Sequence, residues 1–332
     1  MDTRTPATDS PALPGDQAHA AFLGLRERLS AVIVGQAALV ERLLVALLAD
    51  GHLLVEGAPG LAKTTAIRTL AAHLEADFAR VQFTPDLLPA DLTGTEVWRP
   101  QEGRFEFQPG PVFHPLLLAD EINRAPAKVQ SALLEAMGER QVTVGRQTYA
   151  LPALFLVMAT QNPIEQEGTF PLPEAQLDRF MLSVSMGYPS VAEEEAILRR
   201  FTAGDPLAQL QPAIGKDDIA KLQRQASSVY ASDEIVRYLL AIVAATRQHA
   251  DIAFGVSPRG SLQLMKAAQA RAVLRGRDYV VPDDVKALVG PVFAHRIILK
   301  DTFRGEASRT RQLLERLVAD IEVPTESAIG AK

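Results

Sequence analysis

Apolar residues in the first part of the chain follow two kinds of spacing. Short apolar runs, typical of buried strands, recur at residues 53–56, 80–83, 116–120, 154–159 and 181–186. Apolar positions at helical spacing, typical of amphipathic helices, fall at residues 20–29, 36–49, 64–74 and 126–137. Because strands alternate with helices over short connections, this region predicts an α/β layer fold around a largely parallel sheet.

The pattern changes after Tyr188 and Pro189. From there only helical periodicity recurs, at residues 192–201, 216–226, 233–249, 261–274, 282–294 and 308–320. We therefore expect an α/β domain at residues 19–189 and an all-helical second domain at residues 190–321. The polar ends, residues 1–18 and 322–332, are predicted to be disordered tails.

Two pairs of alternating segments interrupt the first domain. Residues 96–99 and 104–107 flank a Pro-Gln-Glu-Gly turn, and residues 141–144 and 147–150 flank Gly145 and Arg146. Each pair has the sequence signature of a β-hairpin. The hairpins are either surface decoration or moving elements that project from one face.

Composition narrows the class of protein. The chain has 332 residues, 47% of them hydrophobic and 22% charged, which suits a soluble protein with two substantial cores. No apolar run approaches the ~20 residues needed to span a bilayer. The polar, Pro-rich start lacks the apolar stretch of a secretory signal.

Charge and cysteine usage exclude further classes. The sequence has no cysteine, which rules out disulfides and thiolate metal sites and fits a cytoplasmic location. A net charge of −6 makes nucleic acid an unlikely partner, although a local basic channel is compatible with it. The basic cluster of Arg271, Arg275 and Arg277 is followed by acidic residues, so we expect a solvated helix surface there.

A glycine-rich turn follows the apolar run at residues 53–56 and opens the next helical pattern. Strand, turn and Lys-Thr at a helix start form the context of a phosphate-binding P-loop, in which backbone N–H groups surround an anion. Lys63 would reach the β- and γ-phosphates, and the Thr64 hydroxyl would bind Mg²⁺. Ala62 replaces the glycine of the general pattern, and a plain structural turn is the alternative. The predicted cofactor-binding segment comprises Gly57, Ala58, Pro59, Gly60, Leu61, Ala62, Lys63, Thr64 and Thr65.

Two carboxylates end the apolar run at residues 116–120. In a P-loop nucleotide hydrolase an acid at the end of a neighbouring strand holds the Mg²⁺, and we assign that role to Asp120. The adjacent Glu121 can accept a proton from an attacking water. Acids at a strand end are often only solvated, but an upstream P-loop favours the catalytic interpretation.

Four motifs in order resemble those of AAA+ ATPases. They are the P-loop, Asp120-Glu121-Ile122-Asn123-Arg124-Ala125, Ala159-Thr160-Gln161-Asn162-Pro163 and Leu177-Asp178-Arg179-Phe180. The residues of these motifs resemble those of the MoxR family. Ala62 in the P-loop and the segment at residues 165–176 are also similar to that family. The resemblance covers residues 33–320 approximately, and it implies the AAA+ form of the P-loop fold with the helical region as a lid domain.

The resemblance implies roles for further residues. Asn162 corresponds to the sensor that orients the attacking water, although an Asn-Pro turn is its structural alternative. Arg179 resembles the arginine finger given to the neighbouring subunit's nucleotide, and a local pair with Asp178 is the alternative. Arg259 resembles a second sensor at the start of a lid helix, where Ser257 can cap and Pro258 suits the first turn. The sequence leaves open whether Arg259 serves its own nucleotide or a neighbour's.

The resemblance also implies an adenine contact and a function. Val34 and Gly35 resemble the segment that lies against the base, with helix punctuation by Gly35 as the alternative. The implied activity is Mg²⁺-dependent ATP hydrolysis in a homo-oligomeric ring, a hexamer in the family. The implied role is chaperone-like remodelling, assembly or metal insertion of a protein client, often one with a von Willebrand factor A domain. Three alternatives stay open: a nucleic-acid motor, a chelatase-type motor subunit and a nucleotide-switched scaffold.

Overall fold

The structure is a computed structural model, and it describes residues 15–57, 60–61, 63–162, 168–202, 210–300 and 307–324. Its strands are β1 (Leu53–Glu56), β2 (Phe78–Gln82), β3 (Gly94–Arg99), β4 (Arg104–Pro109), β5 (Leu116–Asp120), β6 (Gln141–Val144), β7 (Gln147–Ala150), β8 (Leu156–Gln161), β9 (Leu182–Ser185), β10 (Ile252–Phe254) and β11 (Ile298–Leu299). Its α-helices are α1 (Gly15–Val32), α2 (Ala37–Leu48), α3 (Lys63–Leu74), α4 (Pro89–Thr93), α5 (Ala127–Glu139), α6 (Glu174–Leu177), α7 (Val191–Thr202), α8 (Lys216–Ser227), α9 (Asp233–Gln248), α10 (Pro258–Leu274), α11 (Pro282–Phe293) and α12 (Ala307–Ala319).

A five-stranded parallel sheet forms the centre of the first half, with the strand order β2-β5-β8-β1-β9. The predicted parallel-sheet core is therefore confirmed. β1 lies between β8 and β9, where Leu53 pairs with both Met158 and Leu182. This order brings the carboxyl ends of β1, β5 and β8 to one edge, where open α/β sheets bind ligands.

Successive strand residues enter two different cores because their side chains alternate between the faces of the sheet. Leu116 and Leu118 of β5 belong to one core, whereas Leu117 and Ala119 belong to the other. Both faces are covered, which explains why the strands read as near-continuous apolar runs. The first core also contains buried residues of the helical second half, such as Leu288. The change of pattern near residue 189 therefore marks a change of architecture, while the core continues across it.

The boundaries of several elements differ from the prediction. β2 begins at Phe78 because Phe78 pairs with Leu116, and β8 extends to Gln161 because Gln161 pairs with Glu56. α1 begins at Gly15, so the predicted end of the first tail at residue 18 falls inside this helix. Residues 1–14 and 325–332 of the predicted tails lie outside the described residues.

The second half is mainly helical, as expected, but the prediction of helices alone was wrong in one detail. β10 and β11 form a small antiparallel sheet in which Ile252 pairs with Leu299. These strands have three and two residues, too few to show a period-2 pattern in the sequence. Within the described ranges, no helix is both long and apolar enough to cross a membrane.

The two predicted hairpins are present as β3–β4 and β6–β7, each a two-stranded antiparallel sheet. They pack against each other: the rings of Phe107 and Tyr149 are stacked, with centroids 4.0 Å apart and planes 17° from parallel. Gly145, at the turn of the second hairpin, lies close to the Glu96 carboxylate of the first. The hairpins therefore form one joint unit beside the sheet.

Candidate nucleotide-binding site

A cleft of about 350 Å³ opens at the carboxyl ends of β1, β5 and β8. Its described lining includes most of the residues that the sequence singled out for phosphate and metal chemistry. The lining residues are Gly60, Leu61, Lys63, Thr64, Thr65, Arg80, Gln82, Asp120, Glu121 and Asn162.

The glycine-rich turn connects the end of β1 to the start of α3. Gly60 has φ +83°, a left-handed conformation that favours glycine. Lys63 is the first residue of α3, and its Nζ donates a hydrogen bond to the carbonyl oxygen of Gly57 at 2.8 Å. Burial lowers the pKa of the Lys63 ammonium, while the charges of Asp120 and Glu121 act to raise it. Of the predicted segment, Ala58, Pro59 and Ala62 lie outside the described residues.

The two carboxylates sit on a strained strand end. Asp120 is the last residue of β5, and Glu121 follows with φ 56° and ψ 50°, which is uncommon for a residue with a side chain. Thr160 of β8 holds this turn: its hydroxyl accepts from the Glu121 N–H at 2.8 Å and donates to Asp120 Oδ1 at 2.6 Å. Backbone strain of about 1–3 kcal/mol is tolerated mainly at functional sites, and here it accompanies two carboxylates that both line the cleft.

Side chains of β2 contact both acids, and the sequence analysis did not identify them as site residues. Arg80 donates to Asp120 Oδ2 from Nη2 at 2.7 Å and from Nε at 3.2 Å, and to Gln82 Oε1 at 3.0 Å. Gln82 in turn donates to Glu121 Oε2 at 2.8 Å, and Arg124 Nε lies 3.0 Å from the same oxygen. A polar network therefore connects the candidate metal ligand to the candidate base.

One signal in the sequence could have identified the β2 residues. Arg80 and Gln82 alternate with Val81 and Phe83, so both point to the same face of their strand. What the sequence does not give is the pairing of β2 with β5, which places Gln82 opposite Asp120.

Asn162 follows β8 directly and is 5% exposed. It lines the same cleft as Lys63 and Glu121. The structure thus brings together the amide, the acid pair and the P-loop lysine that the sequence placed in separate motifs. The neighbouring residues 163–167 lie outside the described part of the chain.

The donors in the cleft fit a magnesium nucleotide. Mg²⁺ prefers oxygen ligands and takes only one or two carboxylates when phosphates complete its shell. Thr64 and Asp120 supply a hydroxyl and a carboxylate on one cleft wall. Among the described residues, no group of three or more His, Cys, Asp or Glu could hold a metal alone. The start of α3 adds backbone N–H groups and a favourable dipole for an anion.

Arg179 and Arg259 are not among the described residues that line the cleft. Arg259 Nη1 is 3.8 Å from Asp178 Oδ2, whereas the Arg179 guanidinium lies beside Gly138 of α5, 3.9 Å from where a Cβ on that glycine would be. The Arg259 side chain is 58% exposed. Ser257 caps α10 by accepting from the Gly260 N–H at 3.2 Å, and Pro258 is the first residue of that helix, as predicted.

Val34 and Gly35 are not among the described residues that line the phosphate cleft, and a Cβ on Gly35 would lie 3.1 Å from the Glu193 side chain of α7. Gln36 Nε2 donates to the Gly187 carbonyl at 3.1 Å, just after β9. Met186, beside Gly187, packs against Gly57 at the start of the P-loop. Gly35 has φ +74°, a left-handed conformation that favours glycine. The structural alternative, a glycine required by the turn before α2, therefore also fits.

The basic cluster in the second half is not a solvated surface, so that expectation was wrong. Arg271 and Arg277 both bind Asp284, whose side chain is fully buried, at 2.6 and 2.8 Å. Arg271 and Arg275 also contact Glu41 of α2, at 3.2 and 3.1 Å. The cluster therefore ties the helical half to the first core.

A second cavity, of about 470 Å³, lies along the free edge of β9 between α2, α11 and α12. Its described lining includes no P-loop residue. Two of its cations face acids: Arg42 lies 3.3 Å from Glu41 and Arg311 lies 3.6 Å from Glu56. The smaller cleft, where Lys63 and the acid pair meet, is therefore the candidate site for phosphate chemistry.

Comparisons with known proteins agree with this geometry. The profile of the ATPase family associated with various cellular activities (AAA) matches residues 52–182, and that of the AAA lid domain matches residues 244–317. Chaperone MoxR1 of Mycobacterium tuberculosis is 45% identical over 90% of this chain and 81% of its own length. Protein MoxR of Paracoccus denitrificans is 35% identical over 92% of this chain and 97% of its own length.

A crystal structure from Cytophaga hutchinsonii has a similar fold. It superposes with a TM-score of 0.85 at 41% identity, covering 94% of this chain and 97% of that one. Relatives at this identity and coverage share the family, and the motif order, the sheet and the cleft agree with it. The chain belongs to the MoxR family of AAA+ ATPases.

Proposed function

We propose that this protein is a Mg²⁺-dependent ATP hydrolase that works as a ring and remodels a protein client. The observation that carries the proposal is the convergence of Lys63, Asp120, Glu121 and Asn162 on one cleft beside the start of α3. Family membership makes ATPase activity the general expectation. The residue roles below are our assignments.

The P-loop would hold the triphosphate. Backbone N–H groups of the described P-loop residues would surround the phosphates, and Lys63 would exchange its bond to the Gly57 carbonyl for phosphate oxygens. Thr64 and Asp120 would hold Mg²⁺, which neutralises charge on the phosphates when bound. Val34 and Gly35 would lie against the base, as the family resemblance suggests; the next residue, Gln36, bonds Gly187, and Met186 before Gly187 packs against Gly57.

Glu121 and Asn162 would act on the attacking water. The water oxygen forms the new bond to the γ-phosphorus, the bond to the β–γ bridging oxygen breaks, and Glu121 accepts the proton. Asn162 would orient that water from the end of β8. Positioning and charge stabilisation supply most of the rate enhancement in such reactions.

Arg179 and Arg259 would complete the site of a neighbouring subunit. Two observations support this: neither arginine is among the described residues that line its own cleft, and Arg259, with a side chain 58% exposed, lies beside Asp178, the residue that precedes Arg179. A contact in which one surface meets a different surface of the next copy forms a ring when the rotation between successive copies closes, and an open filament when it does not. We propose a hexamer by analogy with the family, and this arrangement favours action of Arg259 in trans.

A protein is the client that the surface favours. Trp98 and Phe105 form an exposed aromatic pair on the first hairpin, with ring centroids 5.1 Å apart. The arginines beside them are paired, Arg99 with Glu106 and Arg104 with Glu102, each at 2.6 Å. Because acids neutralise the hairpin cations, this surface suits a protein better than a phosphate backbone.

The family resemblance extends the proposal to the class of client. A partner with a von Willebrand factor A domain, and a role in assembly or metal insertion, are the roles that it suggests. A chelatase-type subunit is the second candidate, with co-purification of a chelatase partner as its mark. A cytoplasmic location accords with the absence of cysteine from the sequence.

Two substitutions separate nucleotide binding from turnover. Lys63→Ala should abolish stabilisation by Mg-ATP, worth about 2.7 kcal/mol at 100-fold saturation, because the phosphates lose their main cation. Glu121→Gln should keep that stabilisation but lower turnover by about 10²–10⁴-fold, because the base is lost. Thermal unfolding and phosphate release measure the two quantities. Lys128→Ala, an exposed lysine in the first turn of α5, is the matched control.

Undiminished stabilisation in Lys63→Ala would refute the P-loop assignment. Near-normal turnover in Glu121→Gln would assign the base to another residue. Absence of turnover in the wild-type protein, with nucleotide binding intact, would favour the nucleotide-switched scaffold instead.

A further inference from the structure

Arg296 is a buried cation where the helical half meets the sheet. It lies in the turn after α11, and its side chain is 2% exposed. Burial lowers its pKa to about 10, while the Asp178 charge acts to raise it, so the guanidinium is charged at neutral pH. A charge in such a place is tolerated only with well-placed partners.

Many of its partners lie in residues 178–181, which we call the finger segment because it contains Arg179. Arg296 Nε donates to Asp178 Oδ1 at 2.8 Å, and Nη2 donates to the carbonyls of Asp178 and Phe180 at 3.1 and 2.5 Å. Nη1 donates to the Met181 carbonyl at 3.3 Å. The bonded residues thus stand on both sides of Arg179, so Arg296 fixes the backbone from which the candidate finger projects.

The remaining partners lie in the helical half. Arg296 also donates to the Gln263 side chain of α10 and to the Val292 carbonyl of α11. A Cβ on Gly260 would lie 3.2 Å from Arg296 Cδ, so the first turn of α10 packs on the arginine stem. That turn carries Arg259, which lies 3.8 Å from Asp178. One side chain therefore joins the finger segment to the helix start that presents the second arginine.

Seven acceptors, including His295 Nε2, lie within hydrogen-bond distance of the Arg296 guanidinium, so they share its five N–H hydrogens, and among side chains only an arginine offers so many donors. Its planar guanidinium offers five N–H donors in a rigid fork, whereas a lysine offers three donors from a single point. Lysine at this position would keep the charge but could not reach carbonyl groups on three segments at once. The shape of the guanidinium, in addition to its charge, is therefore needed to hold the finger segment and the helical half together.

We propose that Arg296 is a positioning residue for hydrolysis in the neighbouring subunit. It holds Arg179 and Arg259 in a fixed relation, so that one subunit presents both arginines together to the next subunit's nucleotide. The inference rests on the proposed action of these arginines in trans. Through Arg296, the helical half controls the geometry of the finger.

The test mixes two variants into one assembly. One variant, the donor, supplies the finger, and the other, the receiver, supplies the nucleotide site that the finger completes. The receiver carries Arg179→Ala, which keeps its nucleotide site but has no finger. The donor carries Glu121→Gln, which keeps its nucleotide and its finger but cannot turn over. Mixing the two should restore ATP hydrolysis at interfaces where a donor faces a receiver's nucleotide.

Arg296→Lys is then added to one member at a time. In the donor it should reduce the recovered activity by about tenfold to a hundredfold, the cost expected for a group displaced by about 1 Å. In the receiver it should leave the recovered activity within about twofold, because the receiver's own finger is already absent. Stabilisation of the Arg296→Lys single variant by Mg-ATP should be unchanged, since its P-loop is intact. A merely structural role would lower activity in both positions.

Arg271→Lys in the donor is the matched control. Arg271 is another largely buried arginine that joins the two halves, through Glu41 and Asp284, and no bond connects it to the finger segment among the described contacts. It should leave recovery within about twofold. If Arg296→Lys does not fold, Asp178→Ala in the donor removes the main anchor at a partly exposed position and should give the same loss.

Each outcome decides a different claim. Equal effects of Arg296→Lys in donor and receiver, or no effect in the donor, would overturn the positioning role. An equal loss from Arg271→Lys would assign the effect to general docking of the helical half and also overturn it. Failure of the starting mixture to recover any activity would refute the finger in trans, and with it both the proposed function of Arg179 and this inference.

Discussion

At the scale of residues, the candidate site was predictable where chemistry falls at the ends of strands. Lys63, Asp120, Glu121 and Asn162 each follow a short apolar run, and the carboxyl ends of parallel strands share one edge. The supporting residues were not predictable in the same way. Thr160 and Gln82 act through contacts about forty positions away in the sequence, and only the strand order reveals them.

Arg80 is the residue for which the structure makes the most specific prediction. It is paired with Asp120 Oδ2, the candidate Mg²⁺ ligand, at 2.7 Å and is 48% exposed. Because a metal must compete with this guanidinium, Arg80→Ala should lower the Mg²⁺ concentration for half-maximal nucleotide binding. A partly exposed pair is worth up to about 1 kcal/mol, so the expected change is at most about fivefold.

The measurement is nucleotide binding at a series of Mg²⁺ concentrations. Arg99→Ala is the matched control, since Arg99 is 51% exposed and paired with Glu106 at 2.6 Å, outside the cleft. Weaker nucleotide binding in Arg80→Ala at saturating Mg²⁺ would contradict competition with the metal and would indicate that Arg80 contacts the phosphates.

At the scale of elements, the sequence predicted the strands of the sheet, both hairpins and the main helices. It missed α4 and α6, which have five and four residues, and the sheet of β10 and β11. Such short elements do not repeat a pattern often enough to be distinguished from loops. The contact between the hairpins was also hidden, because Phe107 and Tyr149 lie on different hairpins and meet only in the fold.

The hairpin contact predicts that the two hairpins are stabilised together. Tyr149→Ala should increase amide exchange in β3 and β4 as well as in β6 and β7, because the stacked pair is worth about 0.5–1.5 kcal/mol. The expected increase is between about twofold and tenfold. Hydrogen exchange resolved by peptide measures it, and Tyr149→Phe, which keeps the ring, should retain the protection. An increase confined to β6 and β7 would show that the hairpins are independent.

At the scale of the whole molecule, the contacts of the helical half were the least predictable from the sequence. Its periodicity predicted helices, but not that they share a core with the sheet or that Arg271 and Arg296 anchor them to it. Those anchors involve residues more than a hundred positions apart. The position of Arg259 beside Asp178 likewise required the folded chain.

In the proposed ring, each active site is completed by another subunit. Because Arg179 and Arg259 are absent from the described lining of their own cleft, an isolated subunit should hydrolyse ATP very slowly. An arginine finger is worth about 10³–10⁵ in rate in related nucleotide hydrolases. The activity per subunit should therefore depend on assembly.

The most direct test is Mg-ATP hydrolysis per subunit over a wide range of protein concentration, with the size of the species determined at each point. We expect specific activity to rise steeply as oligomers form and to fall by at least a hundredfold in the range where only monomers are present. Arg179→Ala should stay at the monomer level throughout. A monomer that hydrolyses ATP at the full rate per subunit would contradict the account.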